Sequence, residues 1–162
     1  MSKRIEYVEK DNELHITIKA LIDEKQQQML LIWIVLFSIC GVLLVSQFFG
    51  DYENSVKLFF AVYMAFWLFF EFKVIYAFRW RKYGQEIIEI NREELILIKE
   101  IGKRGLTQRF DIDKIGKIQR FDSQENAFFK SMNTSYWNIN KYSLSFNSDN
   151  TPVPFAIDLD EK

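Results

Sequence analysis

Apolar positions along the chain fall into two regimes. Residues 29–49, MLLIWIVLFSICGVLLVSQFF, carry no charge, and their only polar members are Ser38, Cys40, Ser46 and Gln47. A helix of that length rises roughly 30 Å, the thickness of a bilayer's hydrocarbon core. Residues 58–78, LFFAVYMAFWLFFEFKVIYAF, are apolar apart from Glu71 and Lys73. Their uncharged core is short for a span, so the second helix is expected to begin near Asn54 and to run past the interface. The polar link over residues 50–57 is long enough only for an antiparallel return. The pattern predicts a transmembrane helical hairpin over 29–78, with helices at about 29–49 and 55–78.

From Gly84 onward the period changes to two. Residues 86–90 and 94–98 alternate on either side of Asn91, Arg92 and Glu93, a hairpin signature. A turn at 102–105 leads into a strand at 106–112. Residues 115–121 alternate again, with Ile118 and Phe121 at inner positions. A polar loop over 122–134 precedes a long strand at 136–146, with Tyr142, Leu144 and Phe146 on one face. In the last strand, 153–157, Pro152 and Pro154 confine the strand to an edge or lie at its ends. Six antiparallel strands in so short a stretch make a meander that closes into a small barrel or packs as two sheets. One more strand, 14–20, precedes the first helix and can complete that sheet. Its His15 shares the register of Thr17 and Lys19, a solvated face. The fold class is α+β: a two-helix transmembrane hairpin with a small antiparallel β-barrel or sandwich. The chain divides into an N-terminal strand segment (1–28), the hairpin (29–78) and a β domain (79–162).

Charge and composition narrow the chemistry. The net charge of -1 argues against a dedicated nucleic-acid binder, and a single cysteine excludes a disulfide framework. One histidine with one cysteine leaves no set for zinc, and Cys40 lies inside the first span, where it should be inert. There is no glycine-rich phosphate loop, no Ser/His/Asp set and no HExxH or CxxC pattern. No cofactor and no catalysis are expected. Asp111/Asp113 and Asp158/Asp160 read as solvated acidic turns.

Basic residues set the orientation. Arg79, Arg81 and Lys82 follow the second helix, with Trp80 and Tyr83 as an interfacial belt, whereas the connecting loop sets one lysine against Asp51 and Glu53. Both termini are expected in the cytoplasm. Residues 1–28 lack the apolar stretch of a secretory signal, so the first helix reads as a retained anchor.

The order of elements resembles that of small bacterial membrane proteins with two transmembrane helices and a bacterial pleckstrin-homology-like domain. The likeness rests on the strand ELHITIKA (13–20), the aromatic second helix, the junction YGQEII (83–88), the Arg104–Gly105 turn, and the segments YSLSF (142–146) and IDLDE (157–161). It covers nearly the whole chain. It implies a pleckstrin-homology-like β domain at the inner membrane of a bacterium and brings no catalytic residues with it. Such a barrel is closed by a C-terminal helix. Residues 158–162 read as that helix's first turn, capped by Asp158 or Asp160, so complete closure is in doubt.

Two functional readings follow. In the first, the chain is a non-catalytic subunit or adaptor of a larger inner-membrane complex, with the β domain as docking surface. Eleven aromatics between Phe59 and Trp80 exceed what two helices can cover. Glu71 is an ionisable group at depth, and Phe128 and Phe129 sit together in a polar loop. The partner-facing candidates are Glu71, Phe66, Phe70, Phe128 and Phe129. In the second, the domain senses anionic lipid headgroups through Arg79, Arg81, Lys82, Lys103 and Arg104. Ala61 and Ala65, with Ser38 and Gly41, suggest a small-residue helix seam and a third reading, association of copies.

Overall fold

The computed structural model describes residues 4–10, 13–121, 136, 138–139, 141–149 and 151–159. The chain divides into two compact units, Asp23–Phe78 and Met1–Ile22 with Arg79–Lys162.

The first unit holds two helices. Helix α1 (Glu24–Gln47) begins where the Asp23 side chain accepts a hydrogen bond from the Gln26 N–H at 3.1 Å, satisfying a donor the helix leaves open. It starts five residues before the apolar run, because Glu24 to Gln28 are good helix formers. Helix α2 (Asn54–Tyr83) starts at the expected asparagine and continues through Arg79–Tyr83. Both helices are long and apolar enough to cross a membrane. Only 6% and 11% of their most apolar windows are buried by the chain itself, which separates them from the core helices of a soluble fold. Cys40 is exposed on the outside of α1.

The second unit is all antiparallel. Strands β1 (Ile5–Lys10), β2 (Glu13–Lys19), β3 (Gly84–Ile90), β4 (Glu94–Ile101) and β5 (Arg104–Asp111) form one sheet in that order. The segment before α1 thus completes the sheet built after α2, with Ile16 opposite Ile88 and Thr17 opposite Ile87. Strands β6 (Gln119–Arg120), β7 (Tyr142–Ser148) and β8 (Thr151–Ile157) form a second sheet in which β8 is an edge, as its prolines require. The described strands do not close into a barrel. Among the described residues no ladder joins the two sheets; the isolated bridge Ile115–Ser148 extends the β6–β7 pairing within the second. They pack instead as two layers around Ile18, Ile88, Leu95, Leu97, Phe146, Phe155 and Ala156. Phe146 sits at the centre, edge-on to Phe110 at 5.2 Å and tilted against Phe155 at 5.7 Å.

Three expectations change. The alternation over 115–121 supports only the short β6, because a 3-10 turn at Ile112–Lys114 redirects the chain, and Ile118 is half exposed rather than inward. The long strand begins at Tyr142, not at 136. Asp158 is no helix cap. Its φ is +54°, a left-handed conformation unlike the extended one of an N-cap, and its carboxylate pairs with Arg81.

One buried carboxylate sits in this core. Glu86, 1% exposed, accepts the Ile157 N–H at 2.8 Å, and the Lys99 ammonium lies 3.6 Å away. Burial pushes its carboxyl above the ordinary glutamate value, with the Ile157 hydrogen bond and Lys99 opposing but not cancelling the shift. A raised folded-state value favours the protonated fold. Its contribution is complete below the ordinary glutamate value and is lost as the pH rises through the raised one. Thermal melts of the full chain in detergent at about pH 5 and about pH 8 should therefore show a larger loss of stability with rising pH in the wild type than in Glu86→Gln. Equal losses would mean that burial does not control this group.

Candidate functional site

Along α1 the shielded side chains include Leu30, Ile34, Phe37, Gly41, Leu44 and Phe48, and along α2 Phe60, Met64, Trp67, Glu71 and Val74, spaced alternately by three and four, with Ser38 and Ala77 shielded beside them. That 3.5-residue repeat keeps one stripe of each helix facing its neighbour, as in a coiled coil. The contacts run antiparallel. Phe48 meets Phe60 at 6.2 Å and Phe37 meets Trp67 at 5.8 Å, while the Gln27 amide donates to the Phe78 carbonyl at 3.2 Å. Gly41 makes the close approach: a Cβ there would lie 2.0 Å from the Trp67 ring, whose N–H donates to the Phe37 carbonyl at 3.0 Å. Ala61 and Ala65 are exposed and take no part, so the expected small-residue seam is corrected to one glycine receiving one tryptophan.

Glu71 belongs to this seam. It is 7% exposed, and Ser38 Oγ donates to its Oε1 at 2.6 Å, while Oε2 is buried without a partner among the described residues. Phe66 (63% exposed) and Phe70 (45%) lie elsewhere, on an open stripe with Phe59 and Tyr63 spaced by four, three and four. The residues taken together from sequence as partner-facing thus separate: the aromatics face outward and Glu71 faces α1. Phe128 and Phe129 lie outside the described residues.

The basic candidates separate in the same way. Arg81 is 2% exposed and is no headgroup ligand. Its guanidinium pairs with Asp158, donates to the carbonyls of Leu21, Tyr136 and Asn138 at 3.5, 3.3 and 3.2 Å, and stacks 4.7 Å from the Tyr136 ring. Arg4 donates to the Ile157 carbonyl at 2.5 Å and to that of Asp158, so two arginines hold the end of β8. Arg79, Lys82, Lys103 and Arg104 are exposed. The structure brings the last two to the end of α2: Gly102 N–H donates to the Tyr83 carbonyl at 3.2 Å, and Gly102 and Lys103 have φ of +55° and +71° in the tight β4–β5 turn. Among the described residues none of these four cations has an acid within ion-pair distance.

A cleft of about 690 Å³ opens where β5 and β8, edge strands of the two sheets, face each other. Phe110 and Val153 line it with Tyr142, Lys99, Arg109 and Lys114. Lys99 Nζ donates to the Pro154 carbonyl at 3.3 Å and lies 4.2 Å from the Tyr142 ring. At the rim Lys114 is held above the ordinary lysine value by its hydrogen bond to Asp111, 2.8 Å away. The sequence reading missed this cleft, because it forms from edges that are far apart in the chain. It missed the Ser38–Glu71 bond although the spacing 60, 64, 67, 71 could have placed Glu71 in a seam.

Comparison with known proteins finds no matching family model, no matching curated protein and no matching solved structure.

The seam predicts two losses. Gly41→Ala overpacks Trp67 and should lower the stability of the hairpin by about 1–3 kcal/mol. Ser38→Ala strips Glu71 of its one donor and should cost about 1–3 kcal/mol, the penalty for an unsatisfied buried group. Tryptophan-fluorescence unfolding in micelles measures both, and unchanged midpoints would contradict the packing described.

Proposed function

We propose that this chain is a non-catalytic integral membrane subunit or adaptor. Its helical hairpin crosses the inner membrane of a bacterium, and its pleckstrin-homology-like β unit serves as a cytoplasmic docking surface. The observation that carries the reading is the outward stripe of Phe59, Tyr63, Phe66 and Phe70, which the seam leaves uncovered. Rigid aromatics at this spacing suit packing against a further transmembrane helix. Strands β2 and β3 are neighbours, which supports an even number of crossings and both flanks on one face. The cations after α2, set against the acidic connecting loop, favour the cytoplasm for that face.

A second reading has its own observation. Arg79, Lys82, Lys103 and Arg104, exposed near the end of α2 and without an acid partner among the described residues, suit anionic headgroups, each worth about 1 kcal/mol at a charged surface.

Native mass spectrometry of the full chain, extracted in mild detergent from its own membrane, tests both readings. The adaptor reading expects a stoichiometric second integral membrane protein whose occupancy falls several-fold in Phe66→Ala/Phe70→Ala. A lone monomer or homodimer overturns it. The headgroup reading expects retained anionic lipid that is lost on Lys103→Glu/Arg104→Glu. Retention unchanged by that double reversal removes it.

A further inference from the structure

The two walls of the cleft differ in what their backbones offer. In the β4–β5 hairpin Ile101 pairs with Arg104 across a two-residue turn. Such a flanking pair exchanges hydrogen bonds, and pairs then alternate along the ladder. Arg104, Leu106, Gln108 and Phe110 therefore turn their backbone groups toward β4, while Gly105, Thr107, Arg109 and Asp111 turn theirs outward. The Ile112 N–H, donated to the Glu93 carbonyl at 2.9 Å, follows the same parity. Among the described residues no strand pairs this outer edge, and β5 contains no proline and is exposed along nearly its whole length.

Strand β8 is the opposite case. Ser148 and Thr151 flank its turn, so Pro152 and Pro154 are the residues facing outward, and neither has an N–H to give. Of their two outward carbonyls, that of Pro154 accepts from Lys99. A chain entering the cleft can both donate to and accept from β5, whereas the outward prolines opposite have no N–H to offer it.

Lys99 supplies polarity. It lies on the inner face of β4 with its ammonium at the cleft, 25% exposed, making one hydrogen bond and one 3.6 Å ion pair with a glutamate whose ionisation burial opposes. Arg109 and Lys114 add two cations against Asp111 and Asp149.

We propose that the outer edge of β5 is a docking edge that takes an extended segment of a partner protein as an added antiparallel or parallel strand, with an acidic side chain of that segment directed at Lys99. The proposal rests on the adaptor reading and names its docking surface. A second copy of this chain fits less well. The two-fold registers that use the whole β5 edge set Arg109 against Gly105 or Thr107 of the other copy and bring no carboxylate to Lys99.

The test uses the full chain in phosphatidylcholine nanodiscs and a fluorescent nonapeptide alternating valine with glutamate. Anisotropy should show saturable binding, weakened about tenfold or more by N-methylation of alternate peptide amides in one register but not in the other. Thr107→Pro, which removes an outward N–H and leaves the β4 ladder intact, should weaken it similarly. Replacing the peptide's glutamates by glutamine should weaken it about fivefold or more. Absent binding, or binding indifferent to both N-methylation registers, overturns the proposal whether or not the proline variant folds. Efficient disulfide formation between copies of a Thr107→Cys/Cys40→Ser chain overturns the choice of a different partner. A co-purifying membrane protein without peptide binding removes this docking edge and leaves the adaptor reading standing. Peptide binding by a chain that purifies alone does the reverse.

Discussion

Everything else in this molecule depends on the ladder between β2 and β3. These strands are adjacent in the sheet, yet they are separated in sequence by both helices. The helical unit is therefore an insertion in one strand-to-strand connection, and its two ends must return to neighbouring positions. Six residue pairs, from Leu14–Ile90 to Lys19–Gln85, hold that closure. The Ala20 N–H donated to the Gly84 carbonyl at 3.0 Å extends it to the last residue of the junction. A long insertion closed by a ladder costs little more entropy than a short one, since closure cost grows only with the logarithm of length. Two rigid helices lower that cost further, because a preformed antiparallel hairpin already brings its ends together.

The hairpin manages this with one stripe per helix. Where solvent or lipid is equally apolar on every side, hydrophobic contrast cannot choose which faces meet, so close packing and hydrogen bonds must. Gly41 under Trp67 provides the first, and Ser38 with Glu71 the second. A single polar pair inside an apolar seam also specifies register: sliding α2 by one turn would strand the carboxylate beside Ile34 and Val35 or beside Gly41 and Val42. The unpartnered Oε2 is the cost of this arrangement. Glu71 is thus a device for fixing the hairpin, and the outward aromatics are left free for other contacts.

How much of this was legible in the sequence follows the range of the interactions. The helices, the hairpin at 91–93, a turn within 102–105, the proline limits on β8 and the joining of the N-terminal strand depend on period, charge and turn chemistry, which are local. Strand 115–121 failed because alternation records only which side chains are apolar, and Ile118 is apolar without being covered. Arg81 misled for a related reason. A basic residue after an apolar helix reads as interfacial, but Asp158, its partner, lies 77 residues away and no local pattern links the two. Glu86 and Lys99, opposite each other on β3 and β4, were within reach of a register argument. Their burial was not, because it depends on where β8 crosses.

The difference between the two sheet edges at the cleft bears on how such a protein stays soluble on its exposed side. An unpaired edge invites uncontrolled strand addition, and prolines are among the means by which folds prevent it. Here β8 has proline at positions 152 and 154, whereas the outward positions of β5 carry Arg109 and Asp111 but no proline or bulge. If protection were the only pressure on this face, the longer edge, with eight residues and an exposed Leu106, would need it more. That protection is absent from β5, beside a wall whose outward prolines give no N–H, and the proposed strand addition rests on this contrast. The lysine at the floor of the cleft supplies a reason for one strand to be preferred over another.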